Sequence, residues 1–493
     1  MELEHADDEL LLEKPSRMGG GGGVDANEGF HTREGARRVD YKDRVFALSF
    51  GANVAVIALI ALIWGLPNVS SIDFTIHKDD ASSSHDFKVL LTLLSTSCIG
   101  AGVSAAWLYV LQHHAAQIIA WTLRASIVVC VFASLVAFYD SGIGGRAIGF
   151  INLFLAISIA SYYNAIRPSI AFAASSLTTA SRILQVFPAL VTSSYMALVA
   201  LGIWTLVWSI AVVGILAKGV AGHQQDITSY GNTCFFFILL SFHWFVQVAK
   251  NVVHCVAAGT VGEWWFGSHD MNTIHRSQTR ALTTSLGSIC FGSLVVAVLN
   301  ALETVLLSTQ RRKSGGSANA CLECIVELVK RNLMYFNKYA FCQVALYGKD
   351  FRTAGSDTMR LFRDRGWSFL LNDSLISSVL AVGCLVVGIL SGVIGSAWMF
   401  LTMQCTPVET EAHPEQCETF NVVVLTFVAC ASIGYAMCAI VSSILDSIVS
   451  TIFVCFAENP AAFQRSNPSE YARLVDAWAR LKPDLLAFPS HQV

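Results

Sequence analysis

The stretch Phe187–Leu216 reads FPALVTSSYMALVALGIWTLVWSIAVVGIL and contains no charged residue. As a helix it is long enough to cross the roughly 30 Å hydrocarbon core of a bilayer. Backbone polar groups inside a bilayer must bond within the protein, and a helix satisfies them within one segment. This stretch therefore predicts a membrane-spanning helix.

Similar apolar segments recur in a chain that is 54% hydrophobic and only 14% charged, whereas soluble domains carry about 25% charged residues. The predicted fold is an all-α, polytopic transmembrane bundle of about ten spans. The net charge of −3 gives no reason to expect nucleic-acid binding. Nine spans are predicted at about 45–67, 88–112, 117–139, 147–166, 187–216, 233–258, 281–307, 368–403 and 420–456.

Basic residues indicate the orientation, because cytosolic loops are enriched in lysine and arginine. Five of them precede the first span and favour a cytosolic N-terminus, with residues 1–44 as a disordered tail. Residues 45–460 form the transmembrane domain, including a cytosolic segment at about 309–367, and residues 461–493 form a cytosolic tail. Both termini in the cytosol require an even number of crossings. Either residues 333–347 are a tenth span, which we favour, or one segment near 233–307 does not cross.

Three features lie in the predicted loops and tails. Asn68 begins an Asn-Val-Ser glycosylation sequon in the first outer loop. Cys405 and Cys417 pair as a disulfide if their loop faces an oxidising compartment. The N-terminal tail contains an acidic dileucine pattern, which sorting adaptors bind, at Asp7, Leu11 and Leu12. This pattern hints at endosomes or lysosomes.

A polar stripe interrupts the apolar segment 233–258. Its five members recur at steps of four, three, one and three, so they share one helical face. Such a face looks into the bundle or a wet cavity, since lipid offers no hydrogen bonds. It serves either as contacts between helices or as the lining of a substrate path. The members are His243, Gln247, Lys250, Asn251 and His254.

One carboxylate lies deep in the last apolar segment. Asp446 is expected to face inward and to have a partner, because a charge in hydrocarbon is costly. It either attracts a cationic substrate or belongs to a structural ion pair.

Aromatic residues offer a second way to bind a cation. A quaternary ammonium ligand donates no N–H bond and is held well by aromatic faces. The candidate walls are Trp204, Trp208, Trp244 and Tyr435, although core packing is the commoner role of such residues.

Catalytic signatures are absent from the sequence, which has no GxSxG, P-loop or HExxH pattern. We therefore predict that the chain is not an enzyme and needs no cofactor or metal.

Five blocks resemble the choline transporter-like family, in the family's order and spacing over roughly residues 160–470. The first runs from Phe242-His-Trp-Phe through Lys250-Asn-Val-Val-His-Cys-Val-Ala-Ala-Gly-Thr-Val-Gly-Glu-Trp-Trp-Phe266. The others are Leu286-Gly-Ser-Ile-Cys-Phe-Gly-Ser-Leu294, Cys321-Leu-Glu-Cys324, Ala345-Leu-Tyr-Gly-Lys-Asp-Phe351 and Phe453-Val-Cys-Phe-Ala-Glu-Asn459.

The resemblance implies a ten-helix solute carrier with both termini in the cytosol, moving choline or ethanolamine without ATP, with proton exchange as one option. It implies the cell membrane as the location and an acid at the position of Asp446. The family often has a second acid where this chain has Ser450. The alternatives are a non-transporting scaffold or regulator with the same fold, and a transporter of another small solute.

Overall fold

The chain folds into a bundle of long α-helices. Within the described part, every regular element is a helix and no strand occurs, so the all-α prediction is confirmed. The computed structural model describes residues 41–69, 82–139, 143–166, 170–221, 227–267, 272–312, 317–365, 368–402 and 419–479. The predicted adaptor residues Asp7, Leu11 and Leu12 and the predicted disulfide Cys405–Cys417 lie outside these ranges.

The helices up to residue 221 begin with α1, Arg44–Ile60. A π-helical turn, Ala61–Gly65, joins α1 to the short α2, Leu66–Val69. Then come α3 Ser82–Tyr139, α4 Ile143–Ile166, α5 Ile170–Val186 and α6 Ala189–Ala221.

The helices after residue 221 include the longest single spans. They are α7 Ile227–Trp265, α8 Thr273–Leu282, α9 Leu286–Arg312, α10 Ser317–Tyr347, α11 Phe351–Arg365, α12 Ser368–Thr402, α13 Thr419–Glu458, α14 Pro460–Ser466 and α15 Pro468–Ala479.

Seven segments of the described helices are long and apolar enough to cross a membrane, which confirms a polytopic membrane bundle. The number of crossings and the side of each terminus stay predictions. The seven are Arg44–Asn68, Gln117–Tyr139, Ala189–Leu216, Phe235–Trp265, Leu286–Leu306, Leu375–Trp398 and Val423–Glu458.

Two predicted spans, 88–112 and 117–139, belong to one element. In α3 the backbone leaves the helical conformation at His114, where φ is −126° and ψ is 23°. This kink divides α3 between the two predicted segments.

The predicted start of the 281–307 span is wrong, because α9 begins at Leu286. The preceding residues form α8, which ends before Thr283, a non-helical residue. Both α8 arginines, Arg276 and Arg280, pair with the buried carboxylate of Glu263 at 2.8 Å. These two ion pairs hold α8 against the end of α7, so it does not continue into α9.

One end of the bundle gathers several helix ends. The Asp43 carboxylate accepts hydrogen bonds from the Ser288 hydroxyl at 2.7 Å and the Phe351 N–H at 3.0 Å, which joins α1, α9 and α11. At the same end, the Glu458 carboxylate accepts from Tyr347, and the Trp265 indole donates to the Asn459 carbonyl at 3.0 Å. We call this end the Asp43 face and define it by Asp43, Trp265, Tyr347 and Glu458.

Helix α10 lies antiparallel to α9. Near its middle Lys330 pairs with Glu303, and further along Asn337 donates to the Gly292 carbonyl. Partner numbers in α9 therefore fall as numbers in α10 rise. α10 also packs against α7 and α13. Helix α10 is therefore packed among membrane-spanning helices, as a tenth span at 333–347 requires, and the tenth span stays a prediction.

Candidate substrate-binding cavity

A cavity of about 960 Å³ lies between six helices, α6, α7, α9, α10, α12 and α13. Pockets of roughly 300–1,000 Å³ accommodate small organic ligands. The wall mixes apolar side chains with charged and amide groups. The cavity therefore has the size and the chemistry to take up a small polar solute.

Helix α7 supplies most of the predicted polar stripe. Gln247, Lys250, Asn251 and His254 line the cavity, because steps of three and four residues keep side chains on one helix face. Asn251 also donates to the Ser293 hydroxyl of α9 at 2.9 Å. The stripe thus faces a cavity and contacts a neighbouring helix at once.

His243 is the one stripe member outside the cavity lining. Its Nε2 lies 3.5 Å from the Thr304 hydroxyl of α9. Helix α9 covers this turn of α7, so the His243 side chain contacts a helix rather than the cavity.

Asp446 of α13 lies on the cavity wall and has the partner that its position predicts. One carboxylate oxygen is 2.8 Å from Nζ of Lys338 on α10. The other accepts a hydrogen bond from the Ser377 hydroxyl of α12 at 2.7 Å. The carboxylate therefore ties three helices together at the cavity.

His254 positions Lys338. Its Nε2 lies 2.9 Å from the Lys338 carbonyl, which can only accept, so Nε2 carries a proton. Its Nδ1 lies 2.8 Å from the Ser447 hydroxyl of α13. This buried contact fixes the backbone from which the Lys338 side chain reaches Asp446.

The predicted aromatic walls lie elsewhere. Trp204 stacks on Phe245 with ring centroids 4.5 Å apart. Trp208 donates to the Ile238 carbonyl and Trp244 to the Cys290 carbonyl, both at 3.0 Å. Tyr435 is exposed on α13. None of the four belongs to the described cavity lining, and their substrate role stays a prediction.

Several lining residues were missed by the sequence analysis. Lys338, Tyr335 and Ser377 all face the cavity. One signal was present: Lys338 lies inside the segment 333–347, which is the candidate tenth span. A lysine in a spanning helix calls for a carboxylate partner, and Asp446 is a lone acid in a neighbouring segment.

A second charged cluster lies on the α10 side of the cavity. Lys330 is 2.5 Å from both Glu303 of α9 and Glu327 of its own helix. Glu327 and Arg331 also line the cavity and are exposed. This part of the wall therefore opens to the outside of the bundle.

The opposite end, toward the Asp43 face, is packed. The lining ends at Lys338 in α10 and Ser447 in α13. Beyond these residues, Gln343 and Ser450 are buried. Ser450 donates to the Asp446 carbonyl at 3.0 Å, so the residue in place of the family's second acid bonds to its own helix.

Asn68, the predicted glycosylation site, lies at the end of α2. Its side-chain amide donates to the Trp64 carbonyl at 2.7 Å. Glycosylation of this residue stays a prediction.

The bundle and its cavity define a class: a polytopic α-helical membrane protein with a polar, solute-sized cavity inside it. The family model described as a plasma-membrane choline transporter matches residues 150–461. The chain belongs to the choline transporter-like family. Membership in this family indicates a transporter that lies in a lipid bilayer and has a small-molecule substrate.

Three similar curated proteins come from two fungi and an amoeba. A CTL-like protein of Dictyostelium discoideum is 24% identical over 441 residues, which cover 87% of this chain and 74% of the relative. Protein PNS1 of Cryptococcus neoformans is 27% identical over 432 residues, covering 83% and 75%. Protein pns1 of Aspergillus fumigatus is 32% identical over 257 residues, covering 50% and 46%.

Proposed function

We propose that this protein transports choline or a related small amine, such as ethanolamine, and that the cavity holds the substrate. The observation that carries the proposal is the presence of Asp446 and four residues of the α7 stripe on the wall of one cavity of about 960 Å³. The description of the matching family supports choline as the amine. It also supports the plasma membrane as the location.

The cavity offers a group for each part of such a substrate. The Asp446 carboxylate balances the ammonium charge, and the side-chain amides of Gln247 and Asn251 bind the hydroxyl. Tyr335 is an aromatic residue on the wall, available for a cation–π contact.

Transport needs the cavity to open to each side in turn. In this conformation the wall near Glu327 and Arg331 opens to the outside of the bundle. The end toward the Asp43 face is closed by packing around Glu458, whose carboxylate accepts hydrogen bonds from Gln343 and Tyr347. Opening toward that face requires α10 and α13 to separate there.

The test is uptake of radiolabelled choline and ethanolamine into liposomes that contain only this protein. We expect saturable uptake by the wild type and at least about tenfold less by Asp446→Asn, because a buried charge contact is worth more than 1.4 kcal/mol. The matched control is Asp364→Asn, which removes a carboxylate from α11 whose side chain is 61% exposed.

Three outcomes decide the proposal. Equal uptake by Asp446→Asn and Asp364→Asn removes the site assignment. No uptake of either amine by the wild type contradicts the proposed substrate. Flux of another solute instead supports the alternative of a transporter for a different small solute, whereas a chain that moves no solute supports the non-transporting scaffold.

A further inference from the structure

The negative charge of Asp446 is already balanced within the protein. Lys338 is 2.8 Å from one of its oxygens, and Ser377 donates to the other. A cationic substrate therefore has to displace Lys338 or share the carboxylate with it.

A second ammonium group lies in the same cavity. Lys250 lines the same cavity as Asp446 and Lys338. Among the described residues, no carboxylate lies within ion-pair distance of Lys250. Two ammonium groups and one carboxylate leave this group of three with a formal charge of +1.

The remaining charges of the wall balance each other. Lys330 contacts Glu303 and Glu327, and Arg331 adds its charge beside Glu327. Two cations thus meet two carboxylates there. The uncompensated charge of the cavity is therefore at Lys250.

Binding of choline raises the charge of the Lys250, Lys338 and Asp446 group from +1 to +2. A ligand that joins the ammonium to a carboxylate leaves it at +1, and one that joins it to a phosphate monoester of about −2 lowers it to about 0. In both cases the anionic group meets a lysine that has no carboxylate. Charges inside membrane proteins are stable when they are paired or solvated. A ligand with an anionic group therefore fits this wall better than choline does.

We propose that the substrate carries an anionic group in addition to its amine, and that Lys250 binds the anionic group. The inference rests on the proposed function, since the amine is assigned to Asp446. The ligand class is a small zwitterion in which an ammonium group is linked to a phosphate or a carboxylate. The cavity of about 960 Å³ has room for such a molecule together with water.

The test is calorimetric titration of the full-length protein in lipid nanodiscs with choline, phosphocholine and glycine betaine. We expect at least one zwitterion to bind about tenfold more tightly than choline, the effect of one charge-assisted contact of about 1.4 kcal/mol. Tight binding of phosphocholine would identify the anionic group of the substrate as a phosphate. Tight binding of glycine betaine would identify it as a carboxylate.

Three variants separate a binding role from a structural one. Lys250→Gln is expected to weaken binding of the zwitterion about tenfold and so to abolish the preference over choline, whereas Lys250→Arg is expected to keep the preference. Arg360→Gln, which removes a charge whose side chain is 80% exposed on α11, is expected to change nothing.

Choline binding as tight as that of both zwitterions overturns the inference and leaves the proposed function standing. An equal loss of affinity for all three ligands in Lys250→Gln also overturns the inference and leaves the proposed function standing. Zwitterion binding without any choline binding supports the inference and contradicts choline as the proposed substrate. If none of the three ligands binds, the result contradicts both the inference and the proposed function.

Discussion

Lys338 occupies the place on Asp446 that a substrate ammonium needs, 2.8 Å from the carboxylate. In Lys338→Met the carboxylate keeps Ser377 and loses the competing intramolecular cation. We expect choline to bind about tenfold more tightly, which equals about 1.4 kcal/mol. Equilibrium binding of labelled choline to the purified protein measures this change.

The control for this variant is Lys349→Met, which removes a lysine paired with Asp357 at 2.8 Å outside the cavity. The unpaired Asp446 carboxylate lowers stability, so folding of Lys338→Met is checked by its melting temperature. Binding weaker than that of the control contradicts the competition between Lys338 and substrate.

Single residues show what the sequence could and could not predict. The spacing of the α7 stripe and the depth of Asp446 were sufficient to place Gln247, Asn251 and Asp446 on an inward face. The positions of the tryptophans were harder to predict, because an aromatic residue packs equally well against a helix and against a ligand. Which partner it meets depends on the neighbouring helix, as with Trp244 and α9.

Helices α12 and α13 pack closely at two glycines four residues apart, a spacing that typically lets helix backbones approach. A Cβ at Gly388 would lie 2.9 Å from the Ala431 carbonyl oxygen, and one at Gly392 would lie 2.9 Å from the Ala431 Cβ. Ser377 on α12 reaches Asp446 on α13, so this contact also supports the cavity.

We expect Gly388→Leu to lower the melting temperature and the uptake together, because overpacking costs about 1–3 kcal/mol and separates the two helices. Scanning fluorimetry in detergent measures the stability. Gly51→Leu is the matched control, since a Cβ at Gly51 has no atom within 4 Å. Equal melting temperatures for the two variants would show that α12 and α13 tolerate separation at Gly388.

Helix boundaries depend on local contacts that hydropathy does not register. The apolar pattern predicted long helices, but not α8, which the ion pairs of Glu263 hold apart from α9. Nor did the pattern predict α15 in the C-terminal tail. There Arg182 of α5 and Glu470 of α15 form an ion pair at 2.7 Å.

At the scale of the whole molecule, the number of crossings depends on α10. It carries several charged residues, yet two of its lysines face protein groups: Lys330 meets Glu303, and Lys338 meets Asp446. Charges paired inside a bundle do not follow the rule for loops. α9 and α10 are antiparallel, and the α10–α11 connection lies on the Asp43 face, where Asp43 also bonds to Phe351.

We therefore expect residues 313–316, between α9 and α10, to lie on the side of the membrane opposite α11. Ser314→Cys and Arg360→Cys place one reporter in each region, and a membrane-impermeant maleimide is added to intact cells or to permeabilised ones. If α10 crosses and the Asp43 face is cytosolic, as ten spans with cytosolic termini predict, Ser314→Cys should react in intact cells and Arg360→Cys only after permeabilisation. The parent chain, whose described cysteines are mostly buried, gives the background. Labelling of both positions from the same side would show that α10 does not cross, and Lys338 would then lose its place in the transport path.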